Sequence, residues 1–486
     1  MAGVLLAGCR YEFPAPAKNA DSGDLSLKSV IFVGDDYLSG FMDGALYSEG
    51  QQHGISAILA GTFGDAGMEA FVQADIGAVN GYNFYVSDSG NIKGKYVLVY
   101  AEPIDQEPVI TVLPGEPVED YNGDKTLVTD LSIPFLKSFQ FGWQTVPDNI
   151  YYPRIAANPG TFSLLDQVAI HHPETFVLWM GMSDLLGYAV SGGAGDSIPV
   201  SSPRLFGPDD LTPVAVYRTA LEEVVSALLV EPQAKGVIFT LPSFEDLPFF
   251  YYYSYDFMKL TGSQLGLANT FYADFNNAVL INNMTSGNPQ RPFIGFNDNG
   301  YTQYPQSLVV TDYSLPDAYY PDGIPLPKIR NLAEGEKLLL DIPVDKITQG
   351  YGWLVPVEEK YYLNLAQVRT LQNRVVAYNQ AIEDVAAMYP GRLAVADIRE
   401  TIHNIAETGK LNGWGKPSSS EEYHFDGVPL TGRLGLNSIF SLDGLHFNQR
   451  GSAYVSFLAV KAINDAFGAS LSLVDVNDFK GNIPRY

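Results

Sequence analysis

An aspartate and a histidine near the C-terminus are the residues of this chain whose types and spacing best suit chemistry. Asp443 and His446 lie three residues apart, in a turn that precedes a predicted amphipathic helix. At that spacing the carboxylate can accept the Nδ1 proton of the imidazole and leave Nε2 free to act as a general base. Because Asp-x-x-His is a common pattern, a second interpretation stays open, in which the aspartate caps a helix beside a structural histidine.

The elements that must position this pair are short apolar runs that alternate with helical stretches. Four runs read as buried parallel strands: Ser29–Gly34, Thr175–Gly181, Gly236–Pro242 and Leu393–Ile398. Apolar residues at helical spacing predict helices over Pro213–Leu229, Leu365–Met388 and Gly451–Phe467. This alternation predicts a parallel sheet covered on both faces, with a ligand crevice at the carboxyl ends of the strands.

Two long parts of the chain do not follow this alternation. They cover about residues 61–130, and about residues 191–208 together with 249–362, and they are rich in Gly, Pro, Tyr, Asn and Asp. Because structureless loops of such length are uncommon, we predict insertions with short strands of their own, packed over the crevice. The aromatic run from Phe249 to Tyr255 either forms a partner-binding or sugar-stacking surface or alternates between core and solvent.

The turn after the first predicted strand resembles the nucleophile turn of the GDSL/SGNH hydrolase family. Its residues run from Val33 to Gly44, and the resemblance is closest to the lipoprotein branch of the family. Phe176–Gly187 resembles the Gly-x-Asn-Asp block of the family, Ile238–Pro248 its fourth strand and following loop, and Phe440–Ala453 its Asp-x-x-His block. The resemblance covers most of the chain. It implies a three-layer α/β/α, flavodoxin-like fold with a central parallel sheet and large inserted loops.

The family resemblance also implies a site with a serine nucleophile, a glycine and an asparagine as oxyanion donors, and the Asp-x-x-His pair. Asp443 and His446 match the pair. The slots for the nucleophile, the asparagine and, on the least secure alignment, the glycine hold Asp36, Ser183 and Phe135. Losing one oxyanion donor typically lowers the rate about 10²–10³-fold, and losing a triad nucleophile lowers it about 10⁶-fold.

These replacements predict a retained esterase fold without esterase activity. The carboxylate of Asp36 is expected to pair with His446 and raise its pKa, rather than to imitate a serine. We therefore expect a scaffold or binding component of a bacterial outer-membrane or cell-envelope complex. Two alternatives stay open: Asp36 attacks carbon itself while His446 activates water, or Ser39 serves as a substitute nucleophile.

Cys9 is the single cysteine of the chain, which excludes an intrachain disulfide and a cysteine-based zinc site. It follows Val4-Leu5-Leu6-Ala7-Gly8 and resembles the lipobox of a bacterial lipoprotein, in which the cysteine is acylated. Residues 1–9 are accordingly read as the remnant of a longer signal peptide, 10–27 as a flexible tether and 28–486 as a single domain with insertions. The expected location is the outer membrane, lipid-anchored, on its periplasmic or cell-surface side.

The charge of the chain limits its partners. With 29 basic and 55 acidic residues the formal charge is −26, which repels phosphate backbones, so nucleic acid is not expected as a partner. The expected partners are a membrane, through the lipid on Cys9, and an envelope or outer-membrane protein. Asp36, Asp443 and His446 lack the ligand spacing of a known metal motif, and we expect neither a metal nor another cofactor.

Overall fold

The computed structural model describes residues 20–88, 90–100, 108–200, 202–285, 287–288, 290–301, 303–419 and 422–485. Cys9, the lipobox and the first part of the predicted tether lie outside these residues. Among them, no helix is long and apolar enough to cross a membrane.

The described elements alternate between strands and helices along the chain. The strands are β1 (Val30–Gly34), β2 (Ala45–Leu46), β3 (Tyr82–Asn83), β4 (Lys93–Val99), β5 (Val109–Pro114), β6 (Asp130–Ser132), β7 (Thr175–Trp179), β8 (Lys235–Phe239), β9 (Met258–Lys259), β10 (Pro305–Gln306), β11 (Val309–Thr311), β12 (Ile329–Asn331), β13 (Lys337–Leu338), β14 (Tyr362–Leu363), β15 (Leu393–Ala396), β16 (Tyr423–Phe425) and β17 (Val428–Leu430). The helices are α1 (Asp36–Ser39), α2 (Ser48–Gln52), α3 (Ile55–Asp65), α4 (Tyr152–Ile155), α5 (Leu164–His171), α6 (Ser183–Val190), α7 (Val214–Leu228), α8 (Gly262–Phe271), α9 (Ala273–Met284), α10 (Leu365–Met388), α11 (Arg399–Glu407) and α12 (Gln449–Phe467).

The core of the molecule is a parallel sheet with the strand order β15-β8-β7-β1-β6. One row across it aligns Ala394, Val237, Val177, Phe32 and Asp130. Every residue of β1 and β7 is buried, which explains why these strands read as unbroken apolar runs rather than as alternating ones. Numbered along the chain within the sheet, the order from β6 to β15 is 2-1-3-4-5, the flavodoxin-like order.

Helices cover both faces of this sheet and complete a three-layer α/β/α fold. α7 packs against α5 and α10, whereas α12 packs against α3 and against the strands β8 and β15. The helices predicted from apolar spacing correspond to α7, α10 and α12. The predicted fold class is confirmed, and it follows from apolar strands that need covering on both sides.

The segments that depart from the alternation build structure of their own. Residues 61–130 include the end of α3 and an antiparallel hairpin of β4 and β5. Residues 249–362 hold α8, α9 and the short strands β9 to β14, and many of their apolar residues form a second hydrophobic core separate from that of the sheet. The aromatic run that starts this segment begins inside the protein, since Phe249, Phe250 and Tyr251 are buried.

The packed body begins before residue 28. Leu25 and Leu27 are buried in the main core, and Asp21 forms an antiparallel bridge with Ser470. Residues 20–27, which the sequence analysis assigned to the tether, therefore belong to the packed body. The tether was assigned from the Pro, Ala, Asp and Ser content of the segment, and this content does not register two buried leucines.

Candidate functional site

The predicted site residues come together where two neighbouring strands end. β1 ends at Gly34 and is followed by α1, while β7 ends at Trp179 and is followed by α6. In an open α/β sheet of this order, the crevice between these two strands is where ligands bind. The first residue of α1 is Asp36 and the first residue of α6 is Ser183, so both side chains begin at the edge of this crevice.

Asp35 ties the two turns together. Its Oδ2 accepts the backbone N–H groups of Gly181, Met182 and Ser183 at 3.1, 3.0 and 3.3 Å, and its Oδ1 accepts that of Tyr37 at 3.2 Å. Burial and the neighbouring carboxylate of Asp36 raise the pKa of Asp35 well above its usual range. Asp35 thereby holds the first turns of α1 and α6 in a fixed relation.

His446 lies between two carboxylates. Its Nδ1 is 2.9 Å from Oδ2 of Asp443, and its Nε2 is 2.6 Å from Oδ2 of Asp36. The side chains of all three residues are about 1% exposed. The contact expected from the Asp-x-x-His spacing is present, and so is the ion pair expected between Asp36 and His446.

The charge on His446 is stabilised from both sides. Burial alone lowers the pKa of an imidazole, but the charge of Asp443 and the hydrogen bonds to both carboxylates raise the pKa of His446 to about 10. For Asp443, burial acts in the opposite direction, and the charge of His446 together with several hydrogen bonds lowers its pKa to about 2. At neutral pH the ring is therefore an imidazolium that donates both of its N–H groups, with no lone pair free to act as a base.

Asp443 is further held by backbone groups on either side of it. Its Oδ1 accepts the N–H groups of Leu445 and His446, and its Oδ2 accepts that of Gly44 at 2.9 Å. The hydroxyl of Ser441 donates to Oδ1 at 2.9 Å. Asp443 thus connects the turn before α12 to the segment after α1 and orients the ring of His446.

Ser183 completes the surroundings of Asp36. Its hydroxyl donates to Oδ1 of Asp36 at 2.6 Å, so both oxygens of this carboxylate are engaged by protein groups. In the family that the sequence resembles, an asparagine at this slot would donate to a substrate oxyanion. Here the donor in that slot satisfies the residue that stands in the nucleophile slot.

Phe135 adopts a backbone conformation that glycine favours. Its φ of +62° lies in the left-handed region, which costs a residue with a Cβ roughly 1–2 kcal/mol. This conformation is what we expect of a slot that a glycine fills in other chains. The ring of Phe135 stacks on Phe84 at 4.1 Å and meets Phe41 edge-on at 4.9 Å, and the ring of Phe41 lies 4.9 Å from that of His446. These aromatic side chains cover the site.

Ser39 does not take the place of the missing serine. It is the last residue of α1 and is buried. Its hydroxyl donates to the backbone carbonyl of Asp36 at 3.0 Å and accepts the N–H of Phe41 at 3.3 Å. The hydroxyl is therefore engaged by the local backbone, and the nitrogen that would activate it, Nε2 of His446, is paired with Asp36.

One further group in the described part of the chain has the residue types of a metal site. Atoms of Asp246, His403 and Glu407 lie within 4.8 Å of one another. However, Nζ of Lys410 lies 2.7 Å from Oε1 of Glu407 and 3.3 Å from Oδ1 of Asp246. The lysine ammonium therefore already occupies the position of a cation between these two carboxylates.

Comparison with known proteins gives weak similarities. No protein-family model matches the chain, and no curated protein matches it. A carbohydrate esterase family 2 enzyme with a carbohydrate-binding domain, from Corynascus thermopiles (Myceliophthora fergusii), is 9% identical over 94% of this chain and 69% of its own, with a TM-score of 0.30. A family two carbohydrate esterase from Clostridium thermocellum, in complex with cellohexaose, is 11% identical over 74% of this chain and 64% of its own, with a TM-score of 0.21. Because the scores are this low, we judge the site from its own geometry.

The sequence analysis missed the residues that surround the predicted cluster. Asp35 was read only as part of the turn, and its role in joining two helix starts depends on a strand pairing between β1 and β7 that no local pattern reveals. Phe84 lies in the 61–130 insertion, which was expected to pack over the crevice without a named contact. The signal that could have pointed to Phe41 was its place five residues after Asp36, within the quoted turn.

Proposed function

We propose that this chain is a non-catalytic protein with an SGNH-esterase-type fold. In this proposal it acts as a scaffold or binding component of a bacterial outer-membrane or cell-envelope complex, and a lipid on Cys9 holds it at the membrane. The observation that carries the non-catalytic part is the buried ion pair between Asp36 and His446, at 2.6 Å.

A serine-esterase mechanism needs a neutral imidazole that can take a proton from the nucleophile. In this site the imidazole keeps its proton to well above neutral pH, and the residue in the nucleophile slot is already a carboxylate. The oxyanion slots add nothing, because Ser183 donates to Asp36 and the aromatic ring of Phe135 lies under Phe84. Substrate binding would require the covering rings and the ion pair to move together.

The alternative in which Asp36 attacks carbon draws on the same proximity of Asp36 to His446. An attacking carboxylate needs an oxygen that can reach the substrate and a base that can activate water in the second step. Both oxygens of Asp36 are hydrogen-bonded within the protein, and both ring nitrogens of His446 are paired with carboxylates. The geometry therefore favours a structural role for the cluster.

Surfaces outside the site support a binding role. Residues 249–362 add a second hydrophobic core that the central sheet does not need for its own stability. The helices α8 and α9 of this segment expose large apolar side chains, which on soluble proteins often mark interaction sites: Leu267, Phe271, Leu280, Ile281 and Met284. The lipobox-like sequence before Cys9 supports the location, and the charge of −26 disfavours nucleic-acid partners.

Hydrolysis of short-chain acyl esters tests the non-catalytic part. We expect the wild-type protein and Asp36→Ser to hydrolyse 4-nitrophenyl acetate and butyrate no faster than His446→Ala, because one restored hydroxyl leaves the donor slots unchanged. Hydrolysis by the wild type that His446→Ala abolishes would overturn the proposal. A covalent adduct on Asp36, found by mass spectrometry after treatment with a panel of electrophiles, would overturn it in favour of the nucleophilic aspartate.

Purification from the native envelope tests the binding part. After mild cross-linking, we expect the full-length protein to retain a specific outer-membrane protein, whereas Cys9→Ala should lose both its membrane association and most of this partner. A wild-type protein that fractionates with the membrane but carries no partner would contradict the scaffold role. A Cys9→Ala variant that stays in the membrane fraction would contradict the lipid anchor.

A further inference from the structure

A cleft of about 260 Å³ lies next to the closed site. Its walls come from β4, from the segment around α2 and from the C-terminal residues 480–485, and Leu442 closes one side. This cleft differs from the Asp36 site in being open, and in having a charged side chain that the protein leaves incompletely paired.

That side chain is Lys95. The residue is only 5% exposed, and its ammonium lies 3.6 Å from the centroid of the Tyr47 ring. The nearest carboxylate oxygen, Oε2 of Glu49, is 3.9 Å away, which is longer than a hydrogen bond. Within the residues that the structure describes, Nζ of Lys95 has no hydrogen-bonded acceptor, and burial lowers the pKa of Lys95. A buried ammonium without an acceptor is unfavourable unless a ligand or water supplies one.

Two more basic side chains line the same cleft. They are Lys480 and Arg485, and the positive charge of Arg485 contributes to the lowered pKa of Lys95. In a chain with a formal charge of −26, three basic residues around one cavity form an unusual local excess of positive charge. Such a concave site of one sign attracts ions of the opposite sign.

The acidic residues of the cleft do not remove this excess. Asp43 accepts the N–H of Leu442 at 2.9 Å and the hydroxyl of Tyr47 at 2.8 Å, so its two oxygens are already engaged. The side chain of Glu49 is half exposed and accepts a long hydrogen bond from Gln449, at 3.3 Å. Neither carboxylate is placed to accept a hydrogen bond from Lys95.

We propose that this cleft binds a small organic anion whose carboxylate or phosphate group accepts hydrogen bonds from Lys95, with Lys480 and Arg485 at the rim. The volume is slightly below the range of roughly 300–1,000 Å³ for sites of drug-sized ligands, so a ligand of small-metabolite size fits. Tyr47 and Tyr96 supply aromatic surface for its apolar part. This inference goes beyond the proposed function and does not rest on it, because the cleft opens away from the Asp36 cluster.

Calorimetric titration with defined probes tests the proposal. The probes are inorganic phosphate, glucose 6-phosphate and citrate, with glucose as the neutral control. We expect the wild type to bind at least one anionic probe and not glucose, and Lys95→Met to bind it about tenfold more weakly or worse, because a charge-assisted hydrogen bond is lost. Binding of the phosphates or of citrate decides between a phosphate and a carboxylate ligand.

Two further variants separate this site from general charge effects. Lys93→Met removes a lysine from the same strand outside the cleft and should change the dissociation constant less than about twofold, as expected of a screened surface charge. Glu49→Gln removes the carboxylate that competes for Lys95 and should strengthen binding by about two- to fivefold. A merely structural lysine would not produce this gain.

The proposal fails if none of the three anions binds the wild type at millimolar concentration, or if Lys95→Met binds as the wild type does. It also fails if Lys93→Met weakens binding as much as Lys95→Met. If Lys95→Met does not fold, as judged by circular dichroism, Arg485→Gln replaces it, with an expected weakening of about threefold or more.

Discussion

Two neighbouring clusters of charge in this protein share the same backbone segments but treat buried charge differently. The N–H of Gly44 donates to Asp443 on the side of the closed site, and the N–H of Leu442 donates to Asp43 on the side of the cleft. In the closed site, both N–H groups of His446 meet a carboxylate. In the cleft, the ammonium of Lys95 meets an aromatic ring and open space.

The difference indicates where to look for function. A buried cluster whose donors and acceptors are all paired has nothing left to offer a substrate, and its residues hold each other in place. A buried charge that lacks an acceptor is an unfilled requirement that a ligand can meet. The residues that the family resemblance marks as catalytic belong to the first kind, whereas Lys95, which no motif marks, belongs to the second.

The largest effect that sharpens this comparison is the loss of His446. In His446→Leu, two buried carboxylates lose their common partner, and we expect the free energy of unfolding to fall by about 3–5 kcal/mol, measured by urea denaturation. The matched control is His424→Gln, on an exposed strand, with an expected change below about 0.5 kcal/mol. Equal effects of the two substitutions would show that the buried cluster is not an ion-paired unit.

The pH dependence of stability should carry the sign of the same cluster. The pKa of His446 is about 10 in the folded protein and 6.5 as the ordinary value, so its contribution is complete below 6.5 and is lost as the pH rises through 10. Between about pH 7 and pH 9 we expect the unfolding free energy to fall by about 2–3 kcal/mol. Asp43, whose pKa burial raises to about 6, titrates below this range.

A comparison variant isolates the contribution of His446 to this slope. Asp36→Asn removes one of the two carboxylates that raise the pKa of the ring, so its stability should depend less steeply on pH over the same range. A wild-type profile that is flat or rises from pH 7 to pH 9 would mean that His446 is neutral in the folded protein. Parallel profiles for the two proteins would mean that Asp36 does not stabilise the imidazolium.

The smallest effect is expected in the cleft. Lys95→Met keeps the length of the side chain and removes an ammonium that the fold does not satisfy, so stability should stay equal or increase by up to about 1 kcal/mol. Thermal unfolding at neutral pH, without added anions, measures this. A loss as large as that of His446→Leu would place Lys95 among the structural charges and would remove the contrast between the two clusters.

The sequence allowed the central fold to be predicted because buried parallel strands carry a local signature. The apolar runs at Ser29–Gly34 and Thr175–Gly181 became β1 and β7, and the helix predicted over Leu365–Met388 has those bounds in the structure. The short strand β6 was visible only through the family resemblance, since three residues carry no periodicity of their own. Leu25 and Leu27 were missed for a similar reason, because burial of isolated residues depends on distant contacts.

The candidate site was partly visible and the cleft was not visible at all. The residues Asp36, Ser183 and His446 could be named from motif positions, and the pairing of Asp36 with His446 followed from their charges. The donation from Ser183 to Asp36 could not be derived, because it depends on how α1 and α6 are placed by the sheet. Lys95 lies in a strand with no motif, and its isolation from acceptors is a property of the whole tertiary structure.

The protonation state of His446 tests the central claim most directly. In nitrogen-15 spectra of the ring in the wild-type protein at pH 8, we expect both nitrogens to be protonated and hydrogen-bonded, as an imidazolium between two carboxylates requires. In Asp36→Asn the ring should titrate at a lower pH. A wild-type ring that is neutral at pH 8, with an unprotonated Nε2, would contradict the account, because His446 would then be available as a general base.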